Sequence, residues 1–320
     1  MEIQFLAIDA GGSRCRALLA DSRGNITGRG HCRSSANACR FGAGRSEESF
    51  RQAVREALSP APGTKTVCCA TSRCEGEEKF VSSITGGPAE MLRNSEYAAA
   101  LAAAGQEYGY VCLAGTGAGC MSFCPGREPV LLDGLGPHLG DFGSGFWIGK
   151  RAIEAAARSG WDPKYRTSLA RELGRHFLGL DDISLGLAFV PFLLEMPDRS
   201  VIASAAAVTA RCAEEGDGVS AGILKEAGRL LCETLRCLAV NIAPWSGPLP
   251  VVCAGSVINS PIVKRAFEEE FARALPGYRI ARNLGPQIMG HLLLGAKETL
   301  GAAGYASFAS NLTKQKEMFS

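Results

Sequence analysis

The feature that most constrains the fold of this chain is a pattern that occurs twice. In each copy, a short apolar segment runs into a glycine turn and a second apolar segment follows at once. The first copy joins residues 3–9 and 15–20 through Asp9-Ala10-Gly11-Gly12-Ser13, and the second joins 110–114 and 118–123 through Gly115-Thr116-Gly117. Such segments predict antiparallel strand pairs. The repeat is one of pattern and not of residue identity, and it predicts two similar α/β units.

The length of the chain also favours two domains. The chain has 320 residues, whereas a single hydrophobic core stops growing at about 250 to 300 residues. We expect an N-terminal α/β domain over residues 1–113 and a larger C-terminal α/β domain with a helical insert over 114–320. A last helix at about 286–302 is expected to pack back on the first domain. A site between two domains is the common arrangement.

The remaining periodic segments are consistent with α/β order. Apolar runs predict further strands at 26–32, 66–70, 89–94, 130–133 and 250–254. Helical spacing predicts helices at 46–58, 96–104, 144–158, 164–178, 199–214, 219–242, 261–274 and 286–300. The helix at 46–58 is expected to be capped by Ser46, because a serine ahead of a periodic apolar stretch marks a helix start.

Charge and hydropathy argue against two classes of partner. The chain has 34 Lys and Arg against 32 Asp and Glu, without a basic block dense enough for a nucleic-acid surface. No apolar run reaches the 18 or so residues of a membrane span. The N-terminus lacks the basic region and cleavage site of a secretory signal. We therefore expect a cytoplasmic protein that binds neither nucleic acid nor membrane.

The 13 cysteines are expected to be reduced and to pack in the core. Most of them lie inside apolar runs, where a thiol behaves as a small hydrophobic group. No C-x-x-C motif is present, and Cys120 and Cys124 have no histidine or second cysteine pair close by. Zinc and iron–sulfur sites are therefore not expected.

The two glycine turns are candidates for binding an anion. Backbone N–H groups in such a turn can converge on a phosphate, and Ser13 and Thr116 would add hydroxyl donors. Asp9, at the end of its strand, would hold Mg²⁺ directly or through water, because hard cations take oxygen ligands. A third segment, at 251–257, runs from a buried strand into Gly255-Ser256, where small residues let a flat base approach the backbone. Each segment taken alone also fits an ordinary turn.

The order and spacing of these segments resemble the N-acetylglucosamine kinases and the related BadF-type ATPases over nearly the whole chain. The most specific segment is Gly134-Leu135-Gly136-Pro137-His138-Leu139-Gly140-Asp141-Phe142-Gly143-Ser144, followed by Phe146 to Ala152. It is similar to G-W-G-P-x-x-G-D-E-G-S of that family. The resemblance implies two ribonuclease-H-like α/β domains of the actin, hexokinase and Hsp70 type, with a nucleotide cleft between them.

The resemblance also implies site residues and cofactors. ATP and Mg²⁺ are the expected cofactors, and a sugar is the expected substrate. The residues implied for ATP are Gly11, Gly12, Ser13, Gly115, Thr116, Gly117, Gly255 and Ser256. Asp9 is implied for the metal. Asn37 and Asp141 are implied for the sugar, although Asn37 would equally suit a turn and Asp141 a helix N-cap.

The catalytic carboxylate of these kinases is an Asp about 20 residues before the Thr of the second phosphate motif. Glu96 lies 20 positions before Thr116, so the resemblance gives Glu96 the role of base and a place in the substrate site. An alternative registration on Asn94 places Ser95 there and removes the base. Leu135 and Phe142 stand where the family has Trp and an acid, so the acceptor is not fixed as N-acetylglucosamine.

Three functions are compatible with the sequence. The first is an ATP-dependent kinase acting on an amino sugar such as N-acetylglucosamine or glucosamine. The second is a catalytically altered member that binds sugar or nucleotide. The third is a BadF-like activator ATPase, which would need cysteine ligands for a shared cluster, and the sequence offers no convincing set. A homodimer is a common state for such kinases.

Overall fold

The structure is a computed structural model that describes residues 1–11, 14–32, 43–71, 76–181, 186–195, 198–247 and 249–315. The chain divides into two compact units. The first unit combines Met1–Glu107 with Ala281–Ser320, and the second is Tyr108–Ile280. The first unit is therefore built from both ends of the chain, and the second unit begins at Tyr108, whereas the sequence placed a boundary after residue 113.

A mixed five-stranded sheet forms the centre of the first unit in its described part. Its strands lie in the order β3-β2-β1-β4-β5. The pairs β1/β2 and β2/β3 are antiparallel, whereas β4 is parallel to both β1 and β5. The strands are β1 (Glu2–Ala10), β2 (Cys15–Asp21), β3 (Ile26–Cys32), β4 (Thr64–Ala70) and β5 (Ala89–Arg93).

Helices cover both faces of this sheet. Successive side chains of a strand point to opposite faces, so neighbouring residues of β1 belong to different core clusters. Leu6 and Ile8 of β1 share a core cluster with Phe50, and Phe5 shares another with Met289 and Phe308. The helices of this unit are α1 (Ala43–Ala57), α2 (Glu77–Thr85), α3 (Glu96–Ala103), α10 (Gln287–Thr299) and α11 (Ala302–Lys314). The C-terminal helices thus complete the core of the N-terminal sheet.

The second unit repeats the strand order of the first. Its four-stranded sheet has the order β8-β7-β6-β9, with β6/β7 and β7/β8 antiparallel and β6/β9 parallel. This arrangement matches β3-β2-β1-β4, so the pattern repeat predicted from the sequence is confirmed. The strands are β6 (Gly109–Ala114), β7 (Ala118–Phe123), β8 (Val130–Asp133) and β9 (Val251–Ala254).

The helices of the second unit form two core clusters. One cluster packs α8 and α9 on the sheet, and the other joins α4, α5 and α7. The helices are α4 (Gly145–Arg158), α5 (Leu169–Leu178), α6 (Phe189–Leu194), α7 (Arg199–Glu214), α8 (Gly218–Arg236) and α9 (Pro261–Ala274). A 3₁₀ turn forms at Pro163–Tyr165, and α8 continues as a π-helix at Cys237–Ile242.

One capping prediction is wrong. Helix α1 already begins at Ala43, so Ser46 lies inside the helix and is not its N-cap. The helical hydrogen bonds extend one turn further toward the N-terminus than the apolar periodicity indicated. Helices α2, α6 and α11 were not predicted.

Burial of the cysteines follows the prediction. Nine of the described cysteines are buried, and desolvation raises the pKa of both Cys69 and Cys232 to about 12. Such thiols stay protonated at neutral pH and are poor nucleophiles.

In the described part of the chain, no helix is both long enough and apolar enough to cross a bilayer.

Candidate active site

In the first unit, the candidate residues lie at the carboxyl ends of neighbouring parallel strands. Asp9 and Ala10 end β1, Thr71 follows β4, and Asn94 follows β5. The Ala10 N–H donates to the Thr71 hydroxyl at 3.4 Å, and the Asn94 N–H donates to the carbonyl of Ala70 at 3.3 Å. Sites in open α/β sheets form at this edge. The topology therefore brings Asp9 near the Asn94–Glu96 segment, which is distant in sequence.

Asp9 has a partner that the sequence analysis missed. Arg16 lies opposite Asp9 in the β1/β2 register, and its Nη2 is 2.6 Å from Asp9 Oδ2. The Asp9 side chain is 13% exposed and that of Arg16 is 29% exposed. The carboxylate is thus partly neutralised and held in one orientation. The signal was available in principle, because Asp9 and Arg16 occupy paired positions of the predicted hairpin.

Glu96 is the first residue of α3, and its side chain is half-buried. The preceding Ser95 is the N-cap, since its Oγ accepts the Ala98 N–H at 3.1 Å. A capping serine of this kind stabilises the helix start. The side chain that the alternative registration would place at the catalytic position is therefore committed to the helix.

A buried histidine contacts this segment. His291 of α10 is fully buried, and its Nδ1 hydrogen-bonds Asn94 Oδ1. Because the amide oxygen only accepts, Nδ1 carries the hydrogen and Nε2 is an acceptor. Nε2 has no hydrogen-bond partner within the described residues. Burial lowers the pKa of His291 to about 4, with Asp9 opposing and Arg16 adding to the shift. The imidazole is therefore neutral at pH 7.

In the second unit, the carbonyls of the Gly115-Thr116-Gly117 turn are used in hydrogen bonds within the protein, whereas two of its N–H groups remain available to a ligand. The carbonyls of Gly115 and Thr116 accept the N–H groups of Gly145 (2.8 Å) and Phe146 (3.1 Å), which open α4. The Gly115 N–H donates to Gly117 O at 2.9 Å. Within the described residues, the Thr116 and Gly117 N–H groups have no hydrogen-bond partner. Two adjacent donors of this kind suit an anion.

The Gly255-Ser256 segment lies beside this turn. Gly255 has a φ of 101°, and a Cβ there would lie 2.2 Å from the carbonyl oxygen of Ala114. That carbonyl accepts the Val257 N–H at 3.0 Å. The structure thus brings together the second and third candidate nucleotide segments at the carboxyl ends of β6 and β9. Glycine is required here because the two backbones touch.

Asp141 is buried and adopts a left-handed conformation with φ of 59°. Its Oδ1 accepts the Ala118 N–H at 3.2 Å, and its Oδ2 forms an ion pair with Arg199. The alternative role as helix N-cap is wrong, because Ser144 caps α4 by accepting the Trp147 N–H at 3.1 Å. Asp141 therefore ties the β7 end of the glycine turn to α7.

A second carboxylate holds the segment that contains Asp141. Asp133 accepts the N–H groups of Asp141 at 2.7 Å and Phe142 at 3.0 Å, and its own φ is 66°. Asp133 ends β8, so the loop at 134–142 is anchored to the sheet at both ends. Its two hydrogen bonds explain why a non-glycine residue is held in an unfavourable backbone region.

The loop exposes apolar side chains. Leu135 is 67% exposed, Leu139 74% and Phe142 45%. Leu135 and Phe142 are the positions at which the sequence departs from the polar or aromatic residues of the resembling kinases. An exposed apolar set on a loop between two polar anchors is a candidate contact surface for a ligand.

Three of the predicted site residues, Gly12, Ser13 and Asn37, lie outside the described residues. Arg16, Arg199, Asp133 and His291 were not singled out by the sequence, and each contacts a predicted site residue or its neighbour. Within the described residues, no cluster of three or more His, Cys, Asp or Glu side chains could hold a metal ion.

Two α/β units with these sheets define a protein of the actin-like ATPase and sugar kinase fold. The structure aligns with a protein from Chromobacterium violaceum assigned as an N-acetylglucosamine kinase, with a TM-score of 0.68 and 20% identity over 91% of this chain and 98% of that one. A second protein so assigned, from Porphyromonas gingivalis, aligns with a TM-score of 0.59 and 17% identity over 93% of this chain and 99% of that one. A ROK-family glucokinase from Streptomyces griseus, solved with glucose and AMPPNP, gives 0.52 and 17% over 92% and 98%.

The sequence identifies the family more closely than the fold does. Residues 6–297 match the BadF/BadG/BcrA/BcrD ATPase family. The chain belongs to this family, and the match runs from the first strand of one unit through the second unit and back into α10.

Proposed function

We propose that the protein is an ATP-dependent phosphotransferase that phosphorylates a hydroxyl of an amino sugar such as N-acetylglucosamine or glucosamine. The observation that carries the proposal is the turn at Gly115–Gly117, which has two unused N–H donors and lies beside Gly255-Ser256. Membership of an ATPase family supports ATP as the ligand of these segments. In this proposal, Thr116 and Gly117 bind phosphate oxygens, and Gly255 and Ser256 border the adenosine. Gly11, Gly12 and Ser13 are the other residues proposed to bind phosphate.

Magnesium fits Asp9 as an ion that retains most of its water and phosphate ligands. Mg²⁺ in nucleotide sites is commonly held by one or two carboxylates together with phosphates and waters. Asp9 offers one carboxylate, and Arg16 already occupies its Oδ2. Asp9 would therefore hold the ion through Oδ1 or a bound water. When bound, Mg²⁺ would neutralise charge on the phosphates.

Glu96 is the proposed general base. In the transfer step, the acceptor hydroxyl gives its proton to Glu96, and the acceptor oxygen forms a bond to the γ-phosphorus. The bond from that phosphorus to the ADP oxygen breaks at the same time, and ADP leaves. Such reactions depend mainly on positioning and charge stabilisation, and a positioned base contributes about 10²- to 10⁴-fold. Asn94, Ser95 and His291 support the start of α3 and hence the position of Glu96.

The acceptor is proposed to contact Asn37, Glu96 and Asp141. The exposed side chains of Leu135 and Phe142 favour an acceptor with a small apolar substituent, because a polar wall would suit a fully hydroxylated ring better. An N-acetyl group supplies a methyl for such a contact, and one buried methyl changes specificity by roughly 10- to 200-fold. N-acetylglucosamine and glucosamine, which differ by this methyl-bearing group, are therefore the two acceptors to compare.

The experiment is a measurement of ADP release and product mass with Mg·ATP and a panel of amino sugars. The E96Q variant should lose about 10²- to 10⁴-fold in kcat while it still binds nucleotide. E107Q is a matched control in the same unit, because Glu107 is exposed and pairs only with Lys297 in the described contacts. Intact turnover in E96Q would show that Glu96 is not the base.

The binding-protein alternative has a different outcome. A wild-type protein that binds ATP but phosphorylates no sugar in the panel would be a catalytically altered member for those substrates. The activator alternative requires cluster ligands at an exposed face, and Cys120 and Cys124 are instead buried in the core of the second unit. Iron analysis of the purified protein tests this alternative directly.

A further inference from the structure

The ion pair between Arg199 and Asp141 lies directly at the candidate phosphate turn of the second unit. Asp141 connects this turn to α7, because one of its carboxylate oxygens accepts the Ala118 N–H and the other pairs with Arg199. The side chain of Asp141 is 2% exposed and that of Arg199 is 12% exposed. Both side chains are largely buried, and the cation is the more accessible of the two.

The position of Arg199 is not explained by the stability of its own helix. Arg199 is the first residue of α7, after the N-cap Asp198. A positive charge is unfavourable at a helix N-terminus, where the helix dipole is already positive. A buried ion pair is also weak evidence for stability, since desolvation offsets most of its attraction. The arrangement therefore points to a role outside the helix.

The glycine turn is shaped to admit the guanidinium. A Cβ on Gly117 would lie 2.7 Å from Arg199 Nη2 and 3.0 and 3.1 Å from the two carboxylate oxygens of Asp141. A Cβ on Gly115 would meet no atom within 4 Å. Of the two glycines in the turn, Gly117 is therefore the one that the ion pair requires.

We infer that Arg199 is a further nucleotide-binding residue, whose guanidinium is oriented by Asp141 and binds a phosphate oxygen at the Gly115–Ala118 turn. This inference rests on the proposed ATP binding. A guanidinium has five N–H donors in a planar fork, so it can serve a carboxylate and a phosphate at the same time. The unused N–H groups of Thr116 and Gly117 and the charge of Arg199 then act on the same anion. Asp141 becomes a positioning residue for the nucleotide as well as a proposed sugar ligand.

The first test compares ligands that differ in phosphate charge. Affinities for Mg·ADP and for adenosine are measured by calorimetry on wild type, R199M and R199K. R199M should bind Mg·ADP at least about tenfold more weakly and adenosine equally well, because charge-assisted hydrogen bonds to phosphate are lost. The affinity for Mg·ADP should fall less in R199K than in R199M, because lysine keeps the positive charge. R211M is the control, since Arg211 lies on the same helix with its side chain 54% exposed, and it should bind within twofold of wild type.

The second test separates phosphate binding from the neutralisation of Asp141. R199M alone leaves a buried carboxylate without its cation and is expected to lower the unfolding midpoint. The double variant R199M/D141N removes both charges and should recover that midpoint. If Arg199 binds phosphate, the double variant still binds Mg·ADP as weakly as R199M does.

Two results would overturn the inference while the proposed function stands. One is wild-type affinity for Mg·ADP in R199M, and the other is recovery of that affinity in R199M/D141N. A wild-type protein that binds neither ATP nor ADP would overturn the proposed function as well, so the two failures are distinguishable.

Discussion

The imidazole of His291 donates its Nδ1 hydrogen to the side-chain oxygen of Asn94, a residue 197 positions earlier in the chain. The contact joins α10 to the junction of β5 and α3, two positions before Glu96. Close packing of the two helices supports it, because a Cβ on Gly290 would lie 1.7 Å from the carbonyl oxygen of Ala99. The start of α3 is thus fixed from the far end of the sequence.

Removal of the His291 side chain should destabilise the first unit. H291A leaves a cavity and an unsatisfied Asn94 oxygen, and together these should cost about 2–4 kcal/mol in the free energy of unfolding. Urea denaturation followed by circular dichroism measures the change. The control is H31A, because the His31 side chain is 68% exposed, and it should stay within about 0.5 kcal/mol of wild type. Equal stability of the two variants would contradict a structural role for the contact.

The buried imidazole also predicts a pH dependence of stability. The pKa of His291 is about 4 in the folded protein against an ordinary value of 6.5, so between these values the unfolded state binds the proton. The contribution of His291 is complete above pH 6.5 and is lost as the pH falls toward 4. The loss amounts to roughly 3 kcal/mol. Subtraction of the H291A stability curve from the wild-type curve between pH 4 and 8 isolates this effect, and a flat difference would contradict it.

Two glycines of α8 should respond to alanine with opposite signs. Gly222 has open space where a Cβ would stand, whereas a Cβ on Gly228 would lie 2.5 Å from the carbonyl oxygen of Val263 in α9. Both variants gain the same helix propensity, about 0.5–1 kcal/mol. G222A should therefore raise the melting temperature, and G228A should lower it by forcing α8 and α9 apart. Calorimetric melting curves of the two variants give the comparison directly, and a stabilised G228A would show that the helices separate freely.

Asp133 should be required for the loop that carries Asp141. D133A removes the acceptor for two backbone N–H groups and places alanine at a positive φ, and it should cost about 2–4 kcal/mol. D133N should cost less, because asparagine tolerates this conformation and retains one acceptor oxygen. Chemical denaturation ranks the variants. A D133N protein as unstable as D133A would show that the loss of stability comes from the missing carboxylate of Asp133 and not from the backbone conformation at this position.

Much of the fold could be predicted from the sequence because its elements are strongly patterned. Strands β1, β2, β6 and β9 are largely buried apolar runs, each ending at an acid or directly before a glycine, so the local pattern is enough to define them. Helix α4 likewise begins directly after Gly143-Ser144. Helix α2 was missed because its sequence, EEKFVSSIT, is short and polar on most of its surface, so that only packing on the sheet makes it helical.

The candidate site was predicted in its backbone elements and not in its charged contacts. The glycine turns carry a local signal, since small residues recur at the ends of strands. Arg199 carries none, because an arginine at the start of a helix looks like any surface charge until the fold brings it to Asp141, 58 residues away. His291 likewise reads as one residue of an apolar helix. Contacts of this kind depend on topology, which periodicity does not determine.

The first unit is assembled from the two ends of the chain, and this has a consequence for the order in which the protein is made. When the ribosome has synthesised residues 1–107, the sheet still lacks Met289, Leu292 and Phe308, which close one of its faces. The second unit is continuous and can fold during synthesis, since domains generally fold as units from the N-terminal side. The nascent first unit therefore keeps an open apolar face until α10 and α11 emerge, so its core closes only after the whole second unit has been synthesised.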